Sequence, residues 1–472
     1  MSTEKRTRIV ILGGGFGGIY TAMRLEKTLA RDPDVEVTLV NRENFFLFTP
    51  MLHEVAASDL DMTHIVNPVR KLLRRVRFFE GDVEYIDLAR RTVGVSHGQE
   101  HHHHELVYDH LVMALGSVTN FYGLPGLAER AVTMKSLGDA IHLRNHLISN
   151  LEEADFECCP HAREPLLNFV VAGGGFAGAE TVAAVNDFLR EAVEFYPHLR
   201  EDMLRVVLVH SGEVILPELG GKLGRYAQQK LSERGVEIHT KAKVKSVNER
   251  EVALSDGTVI TTNTLVWTAG TSPHPLLDTL PCERERGRVV TDEFMEVPGY
   301  PGVWAVGDCA AIPDRASGKT YPPTAQHAIR QGRVLADNIR ATVRGGSKKP
   351  FSFKTIGLLA AIGRRTGVAQ IMGVNFSGFV AWWLWRSIYL AKLPRFEKKV
   401  RVALDWTLDL LFTKDIVQFL TLRAEAISHD DRAAQPATSP ATMPGLVPTV
   451  SLPAATALSG VELNKIPAGN YS

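Results

Sequence analysis

The sequence predicts an α/β fold with two Rossmann-like units and a C-terminal amphipathic helical module. Three observations predict it. The apolar run RIVIL at residues 8–12 leads into Gly13-x-Gly15-x-x-Gly18 and then a helical pattern. The run LNFVVA at 167–172 leads into Gly173-x-Gly175-x-x-Gly178 and a second helical pattern. Residues 376–420 are rich in Trp, Leu and Phe interleaved with Arg and Lys.

In the first unit a helix is expected over 19–30 and a second strand over 35–40, VEVTLV. Residues 45–60 read as a loop opening into a helix. Strands follow at 83–88 and 111–115, the latter ending at Gly116, and a helix at 137–156. The second unit continues with strands at 205–209, 235–239, 243–247, 252–254 and 265–269. The run VWAV at 303–306 precedes Gly307-Asp308, and residues 325–339 read as a helix. The second glycine unit therefore reads as an insertion into the first. The chain divides into 6–125, 165–285, 286–350 and 351–425, with a tail at 431–472. Ala, Pro, Ser and Thr dominate that tail, which is expected to be disordered because it buries too little apolar surface to offset chain entropy.

Bulk composition excludes several classes. Lys plus Arg and Asp plus Glu both number 53 among 472 residues, so no net charge argues for nucleic acid. The four cysteines form no C-x-x-C pair, which fits a reducing compartment and argues against a cysteine metal site. His101–His104 reads as a loop tip, and no metal is assigned. The start, MSTEKRTR, is polar and basic and does not read as a secretory signal. No run reaches the roughly 20 apolar residues of a spanning helix. The expectation is a cytoplasmic chain, with surface association with a membrane left open.

Each glycine fingerprint has a physical purpose. Gly13 and Gly173 permit the tight turn, Gly15 and Gly175 let a pyrophosphate reach the backbone, and Gly18 and Gly178 let helix and strand pack closely. The helix N-terminus then meets the phosphates. Such units usually end their second strand with an acid that holds ribose hydroxyls. Here Asn41 and His210 stand instead, with Glu43 and Glu213 nearby. Asn41 can still bond a ribose. His210 removes the charge that repels the extra phosphate of NADP, so NADPH is not excluded beside NADH.

With Leu115-Gly116, Trp267-Thr-Ala269-Gly270 and Val306-Gly307-Asp308, these motifs resemble the two-dinucleotide-binding-domain flavoproteins. The resemblance implies a glutathione-reductase-like arrangement, an NAD(P)H domain inserted in an FAD domain. Within it the chain resembles type II NADH dehydrogenases, non-pumping NADH:quinone oxidoreductases, over about residues 6–425. The segments that carry this are NFFLFTPMLHE at 44–54, GGGFAGAE at 173–180 and AQHA at 325–328. FAD is then expected against Gly13, Gly15, Phe16, Gly17, Gly18, Asn41, Arg42, Thr49, Pro50, Leu52, Ala114, Gly116, Gly307 and Asp308. The nicotinamide dinucleotide is expected against Gly173, Gly175, Phe176, Gly178, Ala269 and Gly270. Gln326, His327 and Ala328 match the quinone-site motif.

The resemblance makes Glu180 and Gln326 the catalytic candidates: Glu180 positions nicotinamide and tunes protons, and Gln326 donates to a quinone carbonyl. The alternative for Glu180 is a carboxylate merely favoured by the helix dipole on a first turn, and for Gln326 a residue that caps or packs at a helix start. Disulfide reductases of this fold carry a C-x-x-x-x-C pair that residues 41–60 lack. Trp382, Trp383, Trp385 and the basic residues Arg386, Lys392, Arg395, Lys398, Lys399 and Arg401 suit an anionic bilayer surface. Trp406, Leu410, Leu411, Ile416 and Phe419 read as one face of a helix over about 402–420. That face fits peripheral attachment to the cytoplasmic side of the inner membrane; the alternative is a homodimer interface or a core helix pair. A soluble NAD(P)H-dependent reductase is the competing functional class.

Overall fold

The computed structural model describes residues 6–419, and the tail expected at 431–472 lies outside them. The first sheet is parallel and five-stranded. Thr7–Leu12 lies at its centre between Val35–Asn41 and His110–Met113, and Arg77–Glu80 and Val303–Ala305 form its edges. Ile9, Ile11 and Leu12 are all fully buried, so the strand is a continuous apolar run rather than an alternating one. The edge strand Val303–Ala305 returns only after the entire second glycine unit, which makes that unit an insertion.

The second sheet is also parallel. Its spatial order is Val132–Thr133, Thr264–Trp267, Asn168–Ala172, Arg205–Val209, Val236–His239. Both glycine helices start earlier than their apolar pattern: Phe16–Glu26 and Phe176–Ala192 begin inside the fingerprints, each with a glycine as N-cap. Glycine is a poor helix former, yet close packing demands it here. A Cβ on Gly18 would stand 1.8 Å from the Gly13 carbonyl oxygen, and one on Gly178 would stand 1.6 Å from that of Gly173. The helix Phe16–Glu26 packs on Ala325–Arg344, where a Cβ on Gly332 would meet the Gly17 oxygen at 2.6 Å.

The C-terminal module departs from its expected form in three places. It opens with an antiparallel sheet, Gly357–Ala361, Gly367–Ile371 and Val374–Gly378, that no sequence pattern announced. The helix Phe379–Lys392 follows, then a shorter helix, Phe396–Leu408, in place of one over 402–420. Beyond it Asp409 pairs with Arg386 at 3.7 Å and Lys414 with Asp59 at 2.6 Å, and these inward contacts accompany a non-helical chain through Leu410, Leu411, Ile416 and Phe419. Lys398 also turns inward, donating to the Thr63 carbonyl at 2.6 Å instead of facing solvent. The histidine run is a loop tip only at its start, where His101 lies in the hairpin turn at φ +48°. His102–Val107 is a strand paired with Thr92–His97, and its register puts His102 opposite His97. Among the described residues no helix is long and apolar enough to cross a membrane.

Candidate active site

The site gathers where α/β sheets present ligands, at the carboxyl ends of the parallel strands. Gly13 takes φ +101°, a turn only glycine adopts without strain. Gly15 has nothing within 4 Å of where a Cβ would project. The space a diphosphate needs is open, and the exposed N–H groups of a helix start border it. The Gly14 N–H donates to Asn41 Oδ1 at 2.7 Å. The second loop repeats this arrangement. Gly173 takes φ +120°, Gly175 is equally open, and the Gly174 N–H donates to His210 Nδ1 at 3.2 Å. His210 Nε2 lies 3.1 Å from the Val214 carbonyl, so the ring fits as the neutral Nε2–H tautomer, and burial lowers its pKa. Both departures from the expected acid thus brace a glycine loop. Glu213 is exposed and pairs with Lys241 at 3.4 Å.

Gly116 and Gly307 both sit at positive φ beside a cleft of about 880 Å³ lined by Ser117, Asp308, Pro273, Arg286 and Tyr321. The Ser117 hydroxyl donates to Asp308 at 2.9 Å, and the Lys135 ammonium donates to Ser117 at 2.7 Å. Buried Gln331 accepts from the Gly307 N–H at 3.1 Å. Neither Lys135 nor Gln331 stood out in sequence: one lies between the glycine units, the other one turn beyond AQHA. Ala114 is buried, and Ala328 lies under Gly307, 3.7 Å from where its Cβ would be.

Glu180 sits in the second turn of its helix, not the first, and is held by partners other than the dipole. The Trp385 indole N–H donates to it at 2.9 Å and the Ala361 N–H at 3.2 Å, while His53 Nδ1 lies 3.9 Å away. Burial pushes the Glu180 carboxyl up to about 8 and His53 down to about 3. Gln326 donates at 3.3 Å to the Gly357 carbonyl. Gln326 and Glu180 therefore hang on opposite ends of one strand, Gly357–Ala361, about 13 Å apart at the usual strand rise. A wall of rings runs beside them. Phe16 meets Phe46 at 5.0 Å and Phe48 at 5.8 Å, Phe48 meets Tyr389 at 6.2 Å, and Tyr389 meets Trp385 at 4.8 Å.

Residues 7–332 match the pyridine nucleotide-disulphide oxidoreductase family, and residues 356–415 match the NDH2 C-terminal domain. The chain is 34% identical over 426 residues to the type II NADH:quinone oxidoreductase Ndh of Mycobacterium tuberculosis, covering 87% of this chain and 89% of that one. The chain belongs to the type II NADH:quinone oxidoreductase family. A probable NADH dehydrogenase of Dictyostelium discoideum is 32% identical, with 87% and 91% of the two chains covered. The structure of NDH2 from Plasmodium falciparum in complex with NADH superposes with a TM-score of 0.81 at 19% identity, over 87% of this chain and all of that one, which speaks for the fold.

The disulphide chemistry in the broader family's name finds no support in this chain's cysteines. Cys158 and Cys159 are exposed and free, Cys282 is buried apart, and burial pushes the Cys309 thiol beside Asp308 up to about 11. The remaining residues expected from the family motifs spread over several settings. Leu52 opens a short buried helix, Leu52–Ala56, after the turn Thr49–Met51 that holds Pro50. Arg42 pairs with Asp82 at 2.6 Å on the surface. His327 is buried, 2.7 Å from the Thr324 hydroxyl and packed between Tyr321 and Phe353. Ala269 and Gly270 lie against Tyr122, whose hydroxyl donates to the Ala269 carbonyl at 3.4 Å. Phe176 packs against the core, and Gly17 lies against Val306.

Two predictions follow from the loops and the buried acid. Gly15→Val should fold without retaining FAD, and Gly175→Val should keep FAD but lose NADH-driven flavin bleaching; absorbance spectra of the purified variants check both. Glu180 holds its proton in the fold well above the roughly 4.3 of an unfolded glutamate. Its contribution to stability is thus complete below that value and is lost as pH rises through about 8. Glu180→Gln should therefore lose less stability than wild type between about pH 5 and 9, by about 2 kcal/mol or more, in denaturant melts at the two pH values.

Proposed function

We propose that this chain is an FAD-dependent enzyme that oxidises NADH and reduces a quinone without pumping protons, bound peripherally to the cytoplasmic face of a membrane. The observation that carries this reading is the strand Gly357–Ala361, which joins the AQHA turn through Gln326 to the second glycine helix through Glu180. The family's named relatives supply the substrates: the Mycobacterium protein is called an NADH:quinone oxidoreductase, and one of Synechocystis a demethylphylloquinone reductase. When bound, FAD supplies the two-electron chemistry between NADH and the quinone.

The chain's residues supply position and proton control. The two open glycine loops bind a diphosphate each, and Asp308, fixed by Ser117, offers a carboxylate to ribityl or ribose hydroxyls. Trp385 and Ala361 fix the position of the Glu180 carboxyl, and burial, outweighing these two donors, keeps a proton on it near neutral pH. Gln326 is half-buried, and its bond to Gly357 is long enough to exchange for a quinone oxygen. With no carboxylate at His210, NADPH is not excluded beside NADH.

Membrane attachment rests on the surface of the last two helices. Phe396, Val400, Leu404 and Leu408 recur every fourth residue and are all exposed, as are Phe379, Val380 and Trp383. Lys399 and Arg401 flank them. Each large apolar side chain moved from water into the interface contributes about 1.5–3 kcal/mol, and each nearby cation about 1 kcal/mol toward anionic lipid. That stripe separates this reading from a soluble reductase.

Gln326→Leu should leave NADH-driven flavin bleaching intact and slow reoxidation by quinone, by about 2–4 kcal/mol at the transition state; stopped-flow absorbance separates the two steps. Truncation before the module would also strip Trp385 from Glu180 and Trp406 from Glu54, so the membrane is tested on the surface. Converting Phe396, Val400, Leu404 and Leu408 to Ser should weaken binding to anionic vesicles at least about a hundredfold, while oxidation of NADH with a water-soluble quinone persists. Unchanged vesicle binding with loss of a dimer in size-exclusion chromatography would assign the stripe to a homodimer instead.

A further inference from the structure

Behind Glu180 lies a partly enclosed cavity of about 40 Å³ lined mostly by charged side chains, room for about two or three water molecules. Five carboxyls line it: Glu54, Asp59, Glu180, Asp187 and Asp409. The facing cations are Arg364, Arg386 and Lys414, and His53 is held neutral by burial. A buried cluster with two more carboxyls than cations is costly unless it binds protons. Burial accordingly pushes both Glu54 and Glu180 up to about 8.

The cavity has a way out. A second hollow, of about 300 Å³, opens beside Ser58, Asp61, Arg144 and Asp405. Asp59, Asp409 and Lys414 line both hollows and so form the wall between them. The Lys414 ammonium bonds Asp59 at 2.6 Å, and only 5% of the Lys414 side chain is exposed. Arg386 reaches Asp409 at 3.7 Å on the inner side. Arg386 Nε and Ser58 Oγ, one on each side of the wall, are buried without a hydrogen-bond partner in the protein. Polar atoms in that state are the usual partners of internal water. Glu54 stands next to His53 on the helix Leu52–Ala56, and the Trp406 indole N–H donates to both of its oxygens at 3.1 and 3.2 Å.

The reaction proposed above needs such a route. Hydride from NADH brings two electrons and one proton; quinone needs two electrons and two protons to become quinol. One proton per turnover must come from water. We infer that the Asp59–Lys414 pair and Glu54 form a proton inlet, carrying that proton from the outer hollow past Asp409 and Arg386 to His53 and Glu180, which would then release it toward the quinone, whose reduction consumes it. This rests on quinone being the acceptor. Asp59 and Glu54 are relay residues: no contact of theirs with substrate is required.

The test uses the full-length FAD-loaded enzyme with Asp59→Asn and, separately, Glu54→Gln, whose amide oxygen still accepts from Trp406. Melting temperature and FAD content report folding. In stopped flow, NADH should reduce both variants at the wild-type rate, while reoxidation by a water-soluble quinone slows at least about tenfold. The slowed step should show a larger solvent deuterium isotope effect and recover on adding formate or azide, small acids that enter a polar cavity. The infrared difference spectrum on reduction should lose a protonated-carboxyl band in Glu54→Gln. Wild-type reoxidation rates in both variants would overturn the inlet. So would equal slowing of both half-reactions with no isotope effect and no rescue, the mark of a distorted fold. Failure of the wild-type enzyme to pass electrons to any quinone would instead overturn the functional reading itself.

Discussion

The hydrogen bond from the Trp385 indole to the Glu180 carboxyl ties together three parts of this chain. Glu180 belongs to the second glycine helix, Trp385 to the tryptophan-rich helix, and the Ala361 N–H that shares the carboxyl to the C-terminal sheet. A carboxyl buried this deeply is tolerated only when its oxygens find donors. Satisfying it fixes where the C-terminal module docks, and docking in turn closes the aromatic wall from Phe16 to Trp385. Glu54 repeats the device with Trp406. Each of the last two helices is thus held to the α/β body through an indole N–H on a buried acid.

Much of this was legible before any coordinates. The glycine spacing fixes a turn, a helix start and a close backbone approach, and these are local consequences of lacking a Cβ. That is why both Rossmann-like units, the strand ends at Gly116 and Gly307, and the insertion could be read from the chain. Sequence proximity also placed Glu180 on its helix. Its partners, Trp385 and Ala361, are some 200 residues away, so the indole bond that positions it and the burial that keeps it protonated were invisible. The same holds for Lys414, which pairs with distant Asp59 from an irregular segment where a helix was expected. The C-terminal sheet was missed for a different reason. Its strands are short and glycine-bounded, and apolar Met372 in the turn between two of them and Val374 just after it are exposed, which blurs the alternation.

Asn41 and His210 show how a departure from a motif can conserve its mechanics. The expected acid does two things: it braces the glycine loop and it meets the ribose. Asn41 and His210 keep the first by accepting from the Gly14 and Gly174 N–H groups. They change the second, since neither carries a negative charge. Loop geometry is therefore insulated from nucleotide selectivity, and the two properties can vary separately in such a chain.

The helix Phe396–Leu408 carries two unlike faces in 13 residues. Phe396, Val400, Leu404 and Leu408 point outward; Lys398, Val402 and Trp406 point inward, offset by two residues on the same four-residue repeat. An α-helix turns about 100° per residue, so an offset of two places the stripes on nearly opposite sides. Whatever surface seats the outer stripe thereby also fixes Trp406, and through it Glu54. Helices are stiff over so short a length, so a tilt at the outer face must be answered inside by the indole, the carboxyl or the Lys398 bond to Thr63. If the outer stripe seats on a membrane and Glu54 relays protons, as proposed, the two are mechanically linked through this one element, although no residue takes part in both.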